Sequence, residues 1–156
     1  MYEARIIINA LLWDKLIGEL KLRGKGSRES GAFLLGPLDN NEVTHFILFD
    51  DLDPDCLDTG IIVFRGIGFV GLWQYCNAHS YKVFADVHTH PKGWTGLSEA
   101  DIDHPMIHIA GHVGLIVPWF ATRGQKDLTG VGVHEYLGNK QWKSWNDKSR
   151  IFQIIT

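Results

Sequence analysis

The stretch KVFADVHTHPKGWTGLSEAD, residues 82–101, constrains the fold more than any other part of the sequence. Its first nine residues predict a β-strand that ends before Pro91, because proline cannot continue a sheet ladder. Two glycines then allow the chain to double back, and Ser98 to Asp101 has the spacing of a helix start. We therefore expect the end of the strand and the start of the helix to lie close together.

Two histidines lie at the end of this strand. Because side chains alternate along a strand, even-numbered positions should share one face and odd-numbered positions the other. The first face would carry Phe84, Asp86, His88 and His90, and the second Val83, Ala85 and Val87. Two imidazoles and the Asp101 carboxylate form a ligand set that suits zinc and leaves the fourth tetrahedral position to water. A capping box would explain Ser98 and Asp101 without a metal, but capping requires no histidine.

A competing pattern lies upstream, where residues 66–71, GIGFVG, match the GxGxxG of dinucleotide-binding folds. The match would follow a strand predicted over GIIVF, residues 60–64, and precede a helix predicted over residues 69–80. Asp86 lies twenty residues after Gly66, but its strand continues to the histidines instead of ending at the acidic residue. Glycines that let the chain turn tightly into a helix are the favoured interpretation.

The rest of the chain alternates helix and strand patterns. Asn9 can cap a helix whose apolar positions are Trp13, Leu16, Ile17 and Leu20. A polar loop is expected at residues 23–29, and strands are predicted over GAFLLG (31–36), EVTHFILF (42–49), HVGLIVPWF (112–120) and GVGVHEYL (130–137). We predict one α/β (α+β) domain over residues 1–156, with a mixed, mostly antiparallel curved sheet flanked by helices.

Composition narrows the partners and the location. The formal net charge of −3, without a long run of one sign, disfavours nucleic acid and anionic membranes as partners. No apolar run approaches the ~18 residues of a membrane span. Cys56 and Cys76 form no CxxC pair and indicate a reducing compartment. Because Glu3 and Arg5 interrupt the first apolar stretch, a signal peptide is not expected, and we predict a soluble, cytoplasmic protein.

In the segment that contains the two histidines and Asp101, the sequence resembles the JAMM metalloproteases, the catalytic branch of the MPN (JAB1/MPN/Mov34) domain family. The family signature HxHPx(6)SxxD is matched by His88, His90, Pro91, Ser98 and Asp101. An upstream glutamate of the family, at the edge of a strand, is matched by Glu29 in ESGAFLLG. The order of helices and strands also follows the family over most of the chain.

Smaller features resemble the bacterial branch of the family: YLG followed by Trp142, and HPM at residues 104–106. Gly31 and Ala32 depart from the pattern, since many members have a bulkier residue followed by glycine at these positions. We do not expect this change in the backbone to affect metal ligation.

The resemblance implies a zinc-dependent hydrolase with one Zn²⁺ per chain, held by His88, His90 and Asp101. It implies that Glu29 is the general base and that Ser98 donates a hydrogen bond to the oxyanion of the tetrahedral intermediate. Relatives cleave peptide or isopeptide bonds after the terminal glycine of ubiquitin-like proteins. The expected partner is thus a ubiquitin-like protein or its conjugates, or a sulfur-carrier-like protein, while the oligomeric state stays open.

Two other interpretations of the function stay open. A non-catalytic MPN scaffold is one, although such members typically lack the ligands and this chain has all five polar residues. A nucleotide-binding protein using GIGFVG is the other. His104, His108 and His112 are expected to be structural or to lie at the rim of the site without a second zinc. Cys76 and His79 are expected to be ordinary helix positions, and Trp94 is a candidate contact for a substrate tail.

Overall fold

The computed structural model describes residues 4–156, so Glu3 lies outside the described residues. The strands are β1 (Ile6–Asn9), β2 (Gly31–Pro37), β3 (Glu42–Val43), β4 (His45–Leu48), β5 (Tyr81–Thr89), β6 (Val113–Val117), β7 (Gly132–Gly138), β8 (Gln141–Ser144) and β9 (Phe152–Ile155). The helices are α1 (Ala10–Gly24), α2 (Phe49–Leu52), α3 (Gly66–His79) and α4 (Glu99–Asp103). None of these helices combines the length and the apolar character needed to cross a membrane.

The strands form two sheets. The larger sheet has the order β4-β2-β5-β6-β7-β8, and its neighbours run antiparallel except for the parallel pair β5 and β6. The smaller sheet has the order β3-β1-β9, and both of its pairings are parallel. The predicted α/β class with a mixed, mostly antiparallel main sheet is confirmed, whereas the small parallel sheet was not predicted.

Helix α1 forms as its sequence pattern predicts. The Asn9 side chain accepts a hydrogen bond of 2.8 Å from the N–H of Leu11 and caps the helix. The four predicted apolar positions are buried: Trp13, Leu16, Ile17 and Leu20. The helix runs to Gly24 and ends at Lys25, which has a left-handed backbone with φ of 54°. The polar loop therefore begins two residues later than predicted.

The main sheet is covered on both faces. In β2, Ala32 and Leu34 pack in the cluster that contains the buried side of α1, while Phe33 and Leu35 pack in the cluster of α3. Ala85 of β5 packs in the same cluster as the buried side of α1. Asp86 and His88 consequently face the α3 side, where the candidate site lies.

The predicted alternation is wrong at the start of β5. Leu34 pairs with Ala85, but Leu35 pairs with Val83, so Phe84 is an extra residue in a β-bulge. Phe84 therefore packs on the α1 side next to Ala85, and Val83 packs on the α3 side. Beyond the bulge the alternation is as predicted, so the end of the strand that carries the histidines keeps its predicted faces.

The strand predicted over GIIVF is also wrong. Residues 60–64 have no regular structure, and α3 begins at Gly66, three residues earlier than predicted. GIGFVG therefore forms the first turns of α3 and not a strand-to-helix turn. Gly68 is required because the Phe64 ring occupies the place of a Cβ there. The structural context of a dinucleotide fingerprint is absent from this described segment.

The predicted strand EVTHFILF is interrupted twice. Thr44 separates β3, which pairs with β1 in the small sheet, from β4, which pairs with β2 in the main sheet. Phe49, the last residue of the pattern, begins α2. The residues of this single predicted strand therefore belong to two strands in different sheets and to the start of a helix.

Candidate metal centre

Strand β5 presents His88 within the main sheet, between Gly31 of β2 and Ile116 of β6. A side chain at Gly31 would overlap the Phe49 ring and would lie 2.8 Å from the carbonyl oxygen of Val87. Packing next to His88 therefore requires the glycine that departs from the family pattern. This departure is local and keeps His88 in register.

His90 follows the last residue of β5 and is held by the backbone of the adjacent segment. Its N–H donates to the carbonyl oxygen of Val117, and its own carbonyl accepts from the N–H of Phe120, both at 2.9 Å. Its Nδ1 lies 3.1 Å from the carbonyl oxygen of Trp94. In this arrangement Nδ1–H donates to the carbonyl, and the lone pair of Nε2 is left for a metal.

The chain doubles back between the ligands, as predicted. Its two glycines lie under aromatic rings: a Cβ at Gly96 would lie 2.6 Å from the Trp94 indole, and a Cβ at Gly93 would lie 3.2 Å from the Trp119 indole. The Trp94 indole also stacks on the ring of His90, with 5.6 Å between centroids. Trp94 thus contacts a ligand from this segment.

Asp101 completes the capping box of α4 and also faces the histidines. The Ser98 Oγ accepts from the N–H of Asp101 at 3.1 Å, and the Asp101 Oδ2 accepts from the N–H of Ser98 at 2.9 Å, which completes the predicted capping box. The Asp101 Oδ1 lies 3.4 Å from the Nε2 of His88, and its Oδ2 lies 3.2 Å from the Nε2 of His90. Capping and ligation therefore use the same carboxylate and do not exclude each other.

These three side chains converge on one point. The Nε2 atoms of His88 and His90 are 3.3 Å apart, which matches the edge of roughly 3.3–3.4 Å in a tetrahedron with ligand bonds of ~2.0–2.1 Å. The Asp101 carboxylate faces both rings, with its Oδ1 3.4 Å from the Nε2 of His88 and its Oδ2 3.2 Å from the Nε2 of His90. The donor set of two imidazoles and one carboxylate also suits zinc. The three residues can hold a metal ion.

The protonation of these residues is coupled. Burial favours the neutral forms, but the hydrogen bond and the charge between His88 and Asp101 outweigh it. The pKa of His88 is therefore raised above its ordinary value, and the pKa of Asp101 is held well below its usual range. Since a metal ligand must be a neutral imidazole, a bound cation would displace a proton from His88.

Glu29 lies immediately before β2 and lines the same cavity as His88 and Ser98. Its N–H donates to the carbonyl oxygen of Gly60 at 2.9 Å, and its Oε1 accepts from the N–H of Ile62 at 3.2 Å. Its charge is one of those that raise the pKa of His88. The structure thus brings together the five residues singled out in the sequence.

A cavity of about 630 Å³ adjoins this cluster. One side is formed by residues 61–64 and Phe69, and another by residues 104–106 and Trp142. The lining is largely apolar, as in sites that bind extended or small ligands. Trp94 is not among the described residues that line the cavity, so its predicted contact with a substrate tail stays a prediction.

A buried polar pair next to the cavity lies outside the candidate site residues of the sequence. The Nε2 of His112 lies 2.6 Å from the Oδ1 of Asp86, and both residues are buried. Asp86 lines the cavity two residues before His88. Its place on the histidine face of the strand was a usable signal, whereas nothing in the sequence indicated its partner.

The three histidines spaced four residues apart do not share a helix face. Helix α4 ends at Asp103, and Gly111 has a φ of +97°, so His104, His108 and His112 all lie in the connection from α4 to β6. His104 and His108 line the cavity, and His112 is buried against Asp86. These positions agree with the expected structural and rim roles.

Neither cysteine has the features of a nucleophile. Burial raises the pKa of the Cys56 thiol to about 12 and also raises the pKa of Cys76. Both thiols are buried and form no disulfide. His79 stacks on Tyr75 at the end of α3, with 4.1 Å between centroids. Cys76 and His79 are ordinary positions of α3, as predicted.

No protein-family model matches the sequence. Protein DSY2949 from Desulfitobacterium hafniense has a similar solution structure, with a TM-score of 0.62 and 12% identity over 96% of this chain and 92% of that chain. A protein from Salinibacter ruber gives a TM-score of 0.58 and 12% identity over 95% and 91% of the two chains. AF2198, a JAB1/MPN domain protein from Archaeoglobus fulgidus, gives a TM-score of 0.50 and 16% identity over 97% and 99%. At such low identity these similarities establish the fold alone.

Proposed function

We propose that this chain, which has the fold of the JAB1/MPN domain, is a zinc-dependent peptidase or isopeptidase. Its substrate would be a ubiquitin-like or sulfur-carrier-like protein, cleaved after the C-terminal glycine. The observation that carries the proposal is the convergence of His88, His90 and Asp101 next to a cavity that also contains Glu29 and Ser98. We place the activity in the cytoplasm, where the buried free thiols would stay reduced.

The chemistry divides among the residues of the site. Zinc held by the two histidines and Asp101 would polarise the scissile carbonyl and make a water molecule acidic near neutral pH. Glu29 accepts the proton of the attacking water at its Oε2, since its Oε1 accepts from Ile62. The same carboxyl then protonates the leaving amine as the C–N bond breaks. Glu29 thus takes one proton from the water and gives one to the amine, so its carboxylate is ionised again at the end of the reaction.

We propose that Ser98 stabilises the oxyanion. Its Oγ accepts from the N–H of Asp101, and the hydroxyl hydrogen can be donated toward the cavity that Ser98 lines. The capping box fixes the position of this hydroxyl before a substrate binds. A donor that is already oriented costs little reorganisation when negative charge develops on the carbonyl oxygen.

We propose that the cavity takes a narrow, extended tail. Glu29, His88 and Ser98 line it together, so the scissile bond would lie among these three side chains. Residues 61–64 have no regular structure, and the side chains of Ile61 and Val63 are 61% and 53% exposed. We propose that a tail ending in Gly-Gly lies along this segment, over the exposed side chains of Ile61 and Val63.

The test is cleavage of a ubiquitin-like protein that is fused through its terminal Gly-Gly to a reporter. We expect cleavage after the second glycine, loss of activity on chelation and recovery on addition of zinc. Replacing both substrate glycines with valine should abolish cleavage. His79→Ala, a surface histidine of α3, should behave as the wild type, whereas His88→Ala should be inactive. A zinc-loaded chain that cleaves no such fusion, or one that cleaves the valine substrate equally well, would overturn the proposal.

A further inference from the structure

Glu29 depends on a distant part of the chain for its orientation. It lies between α1 and β2, outside any helix or strand. Two hydrogen bonds hold it, one from its N–H to Gly60 and one to its Oε1 from the N–H of Ile62. The carboxylate that we propose as the base is therefore positioned by residues 60–62, which themselves have no regular secondary structure.

Residues 60–62 belong to a compact loop, the 53–65 loop, whose two ends are joined by an ion pair. Asp53 is fully buried, and its Oδ2 accepts from the backbone N–H of Arg65 at 2.9 Å. The Arg65 guanidinium also donates to both carboxylate oxygens, from Nε at 3.1 Å and from Nη2. These hydrogen bonds hold the pKa of Asp53 below its usual range, so the carboxylate is ionised at neutral pH.

Packing and backbone hydrogen bonds within the loop connect its two ends to its central residues. Cys56 and Leu57 are buried in the cluster under α3, and the N–H of Val63 donates to the carbonyl oxygen of Cys56 at 2.9 Å. The N–H of Gly60 donates to the carbonyl oxygen of Leu57 at 3.1 Å. Compact loops with joined ends move as units, so opening the ends would also displace Ile62.

We propose that Arg65 is a positioning residue for the catalytic base: its ion pair with Asp53 closes the 53–65 loop, and the loop orients Glu29 through Gly60 and Ile62. The inference rests on the proposed function. Arg65 is not among the described residues that line the cavity, and its side chain is 54% exposed, so it acts through the loop and not on the substrate. A displacement of ~1 Å at a catalytic group can cost about 100-fold in rate.

The structure supplies a matched control in a second arginine. Arg5 is 49% exposed and pairs at 2.9 Å with Glu135, which is 10% exposed, so its setting resembles that of Arg65. Arg5 has no contact with the 53–65 loop among the described hydrogen bonds and ion pairs. Arg5→Met and Arg65→Met therefore remove comparable ion pairs, one outside and one inside the proposed relay.

The experiment compares these variants as zinc-loaded proteins. We expect Arg65→Met to lower kcat by about 10- to 100-fold at unchanged zinc content, Arg65→Lys to fall between it and wild type, and Arg5→Met to keep wild-type kcat. In single-turnover assays on a Glu29→Gln background, Arg65→Met should have no additional effect, because both changes act on the same base. An equal loss in that background, or an equal loss in Arg5→Met, would overturn the proposal.

A second measurement does not depend on activity. Amide hydrogen exchange at Ile62 should be faster in Arg65→Met than in wild type and unchanged in Arg5→Met. Unchanged exchange at Ile62 in Arg65→Met would refute the positioning role even if the enzyme is active. Conversely, a wild-type chain that cleaves no Gly-Gly fusion would refute the proposed function, while the exchange result would still decide whether Arg65 holds the loop.

Discussion

At the scale of single residues, Asp101 shows how two requirements can share one side chain. Its Oδ2 accepts from the N–H of Ser98, and its two oxygens lie within 3.4 Å of the Nε2 atoms of His88 and His90. Glutamate, the commoner third-position residue in capping boxes, has a longer side chain. The shorter aspartate closes the box and still reaches the histidines, so both the helix start and the ligand set depend on this choice.

Ligation and base catalysis can be separated by two substitutions. Asp101→Ala should lose zinc and activity together, and should also destabilise the fold by about 1 kcal/mol, because the N–H of Ser98 loses its acceptor in the capping box. Glu29→Gln should keep zinc and the fold, because Glu29 is outside the ligand set, but should lose about 10²–10⁴-fold in cleavage rate. Zinc content and cleavage rate are measured side by side on the two proteins.

The outcome distinguishes three roles for Glu29. Near-normal cleavage by Glu29→Gln would remove it from the mechanism, and loss of zinc from the same variant would make it a ligand. Gln keeps an oxygen that can accept from the N–H of Ile62, so the loop contact is preserved in this comparison. Loss of rate at full zinc occupancy is the result that the proposed role requires.

At the scale of helices and strands, the periodic sequence patterns predicted the structure where a helix or strand buries a defined face. The helix that begins after Asn9 and the strand that carries His88 follow their patterns, because burial on one face selects their spacing. The three residues that can hold a metal ion, His88, His90 and Asp101, could therefore be named from the sequence. The bulge at Phe84 could not, since it arises from pairing with β2 and has no local signal.

The apolar run at residues 60–64 shows the opposite case. Its composition predicts a strand, but Ile62 is tied to Glu29, and Phe64 packs against Phe33 with 5.5 Å between ring centroids. These long-range contacts replace sheet pairing and leave Ile61 largely exposed. Local propensity could not predict these contacts. The conformation of the segment is determined by Glu29 and by the cluster under α3, and not by pairing with a neighbouring strand.

The exposed face of α3 is the place where we expect the body of the substrate to bind. Ile67 and Val70 are 67% and 56% exposed, lie one turn apart, and directly follow the loop that lines the cavity. Ile67→Asp and Val70→Asp should each raise KM for a folded ubiquitin-like fusion by about tenfold, or ~1.4 kcal/mol, with little change in kcat. Steady-state kinetics with the fusion measures the effect.

Two comparisons make the α3 experiment specific. A short peptide with the same Gly-Gly tail should be cleaved equally by wild type and both α3 variants, since it has no body to dock. Leu22→Asp introduces the same charge at a residue of α1 that is 66% exposed, and should leave KM unchanged. A similar rise in KM for the peptide, or for Leu22→Asp, would show that the α3 face is not a docking surface.

At the scale of the whole molecule, the centre depends on segments that are far apart in the sequence. The main sheet carries His88, and the connection after β5 brings Asp101 back to it. Two strands away from β5, His134 of β7 lies 2.9 Å from the carbonyl oxygen of Thr95 in that connection and 2.8 Å from the Oγ of Ser144. Burial lowers the pKa of His134, so this bridge stays neutral at physiological pH.

Because an unfolded chain would not assemble these ligands, zinc should stabilise the native state. At free zinc about 100-fold above Kd the gain is ~2.7 kcal/mol, which corresponds to a rise in Tm of roughly 5–10 °C for a chain of this size. The double variant His88→Ala, His90→Ala should show no rise. Thermal unfolding with zinc and with chelator measures both, and an equal rise in the double variant would mean that zinc binds elsewhere.

The same experiment has a defined dependence on pH. A proton on His88 competes with the metal, and the pKa of His88 is raised above its ordinary value by Asp101 despite burial. Protons therefore compete at a higher pH than they would for an isolated histidine, whose pKa is about 6.5. We expect the zinc-induced rise in Tm at fixed total zinc to be larger at about pH 8 than at about pH 6. A rise that is equal at both values would show that His88 does not exchange its proton for the metal, and would remove it from the ligand set.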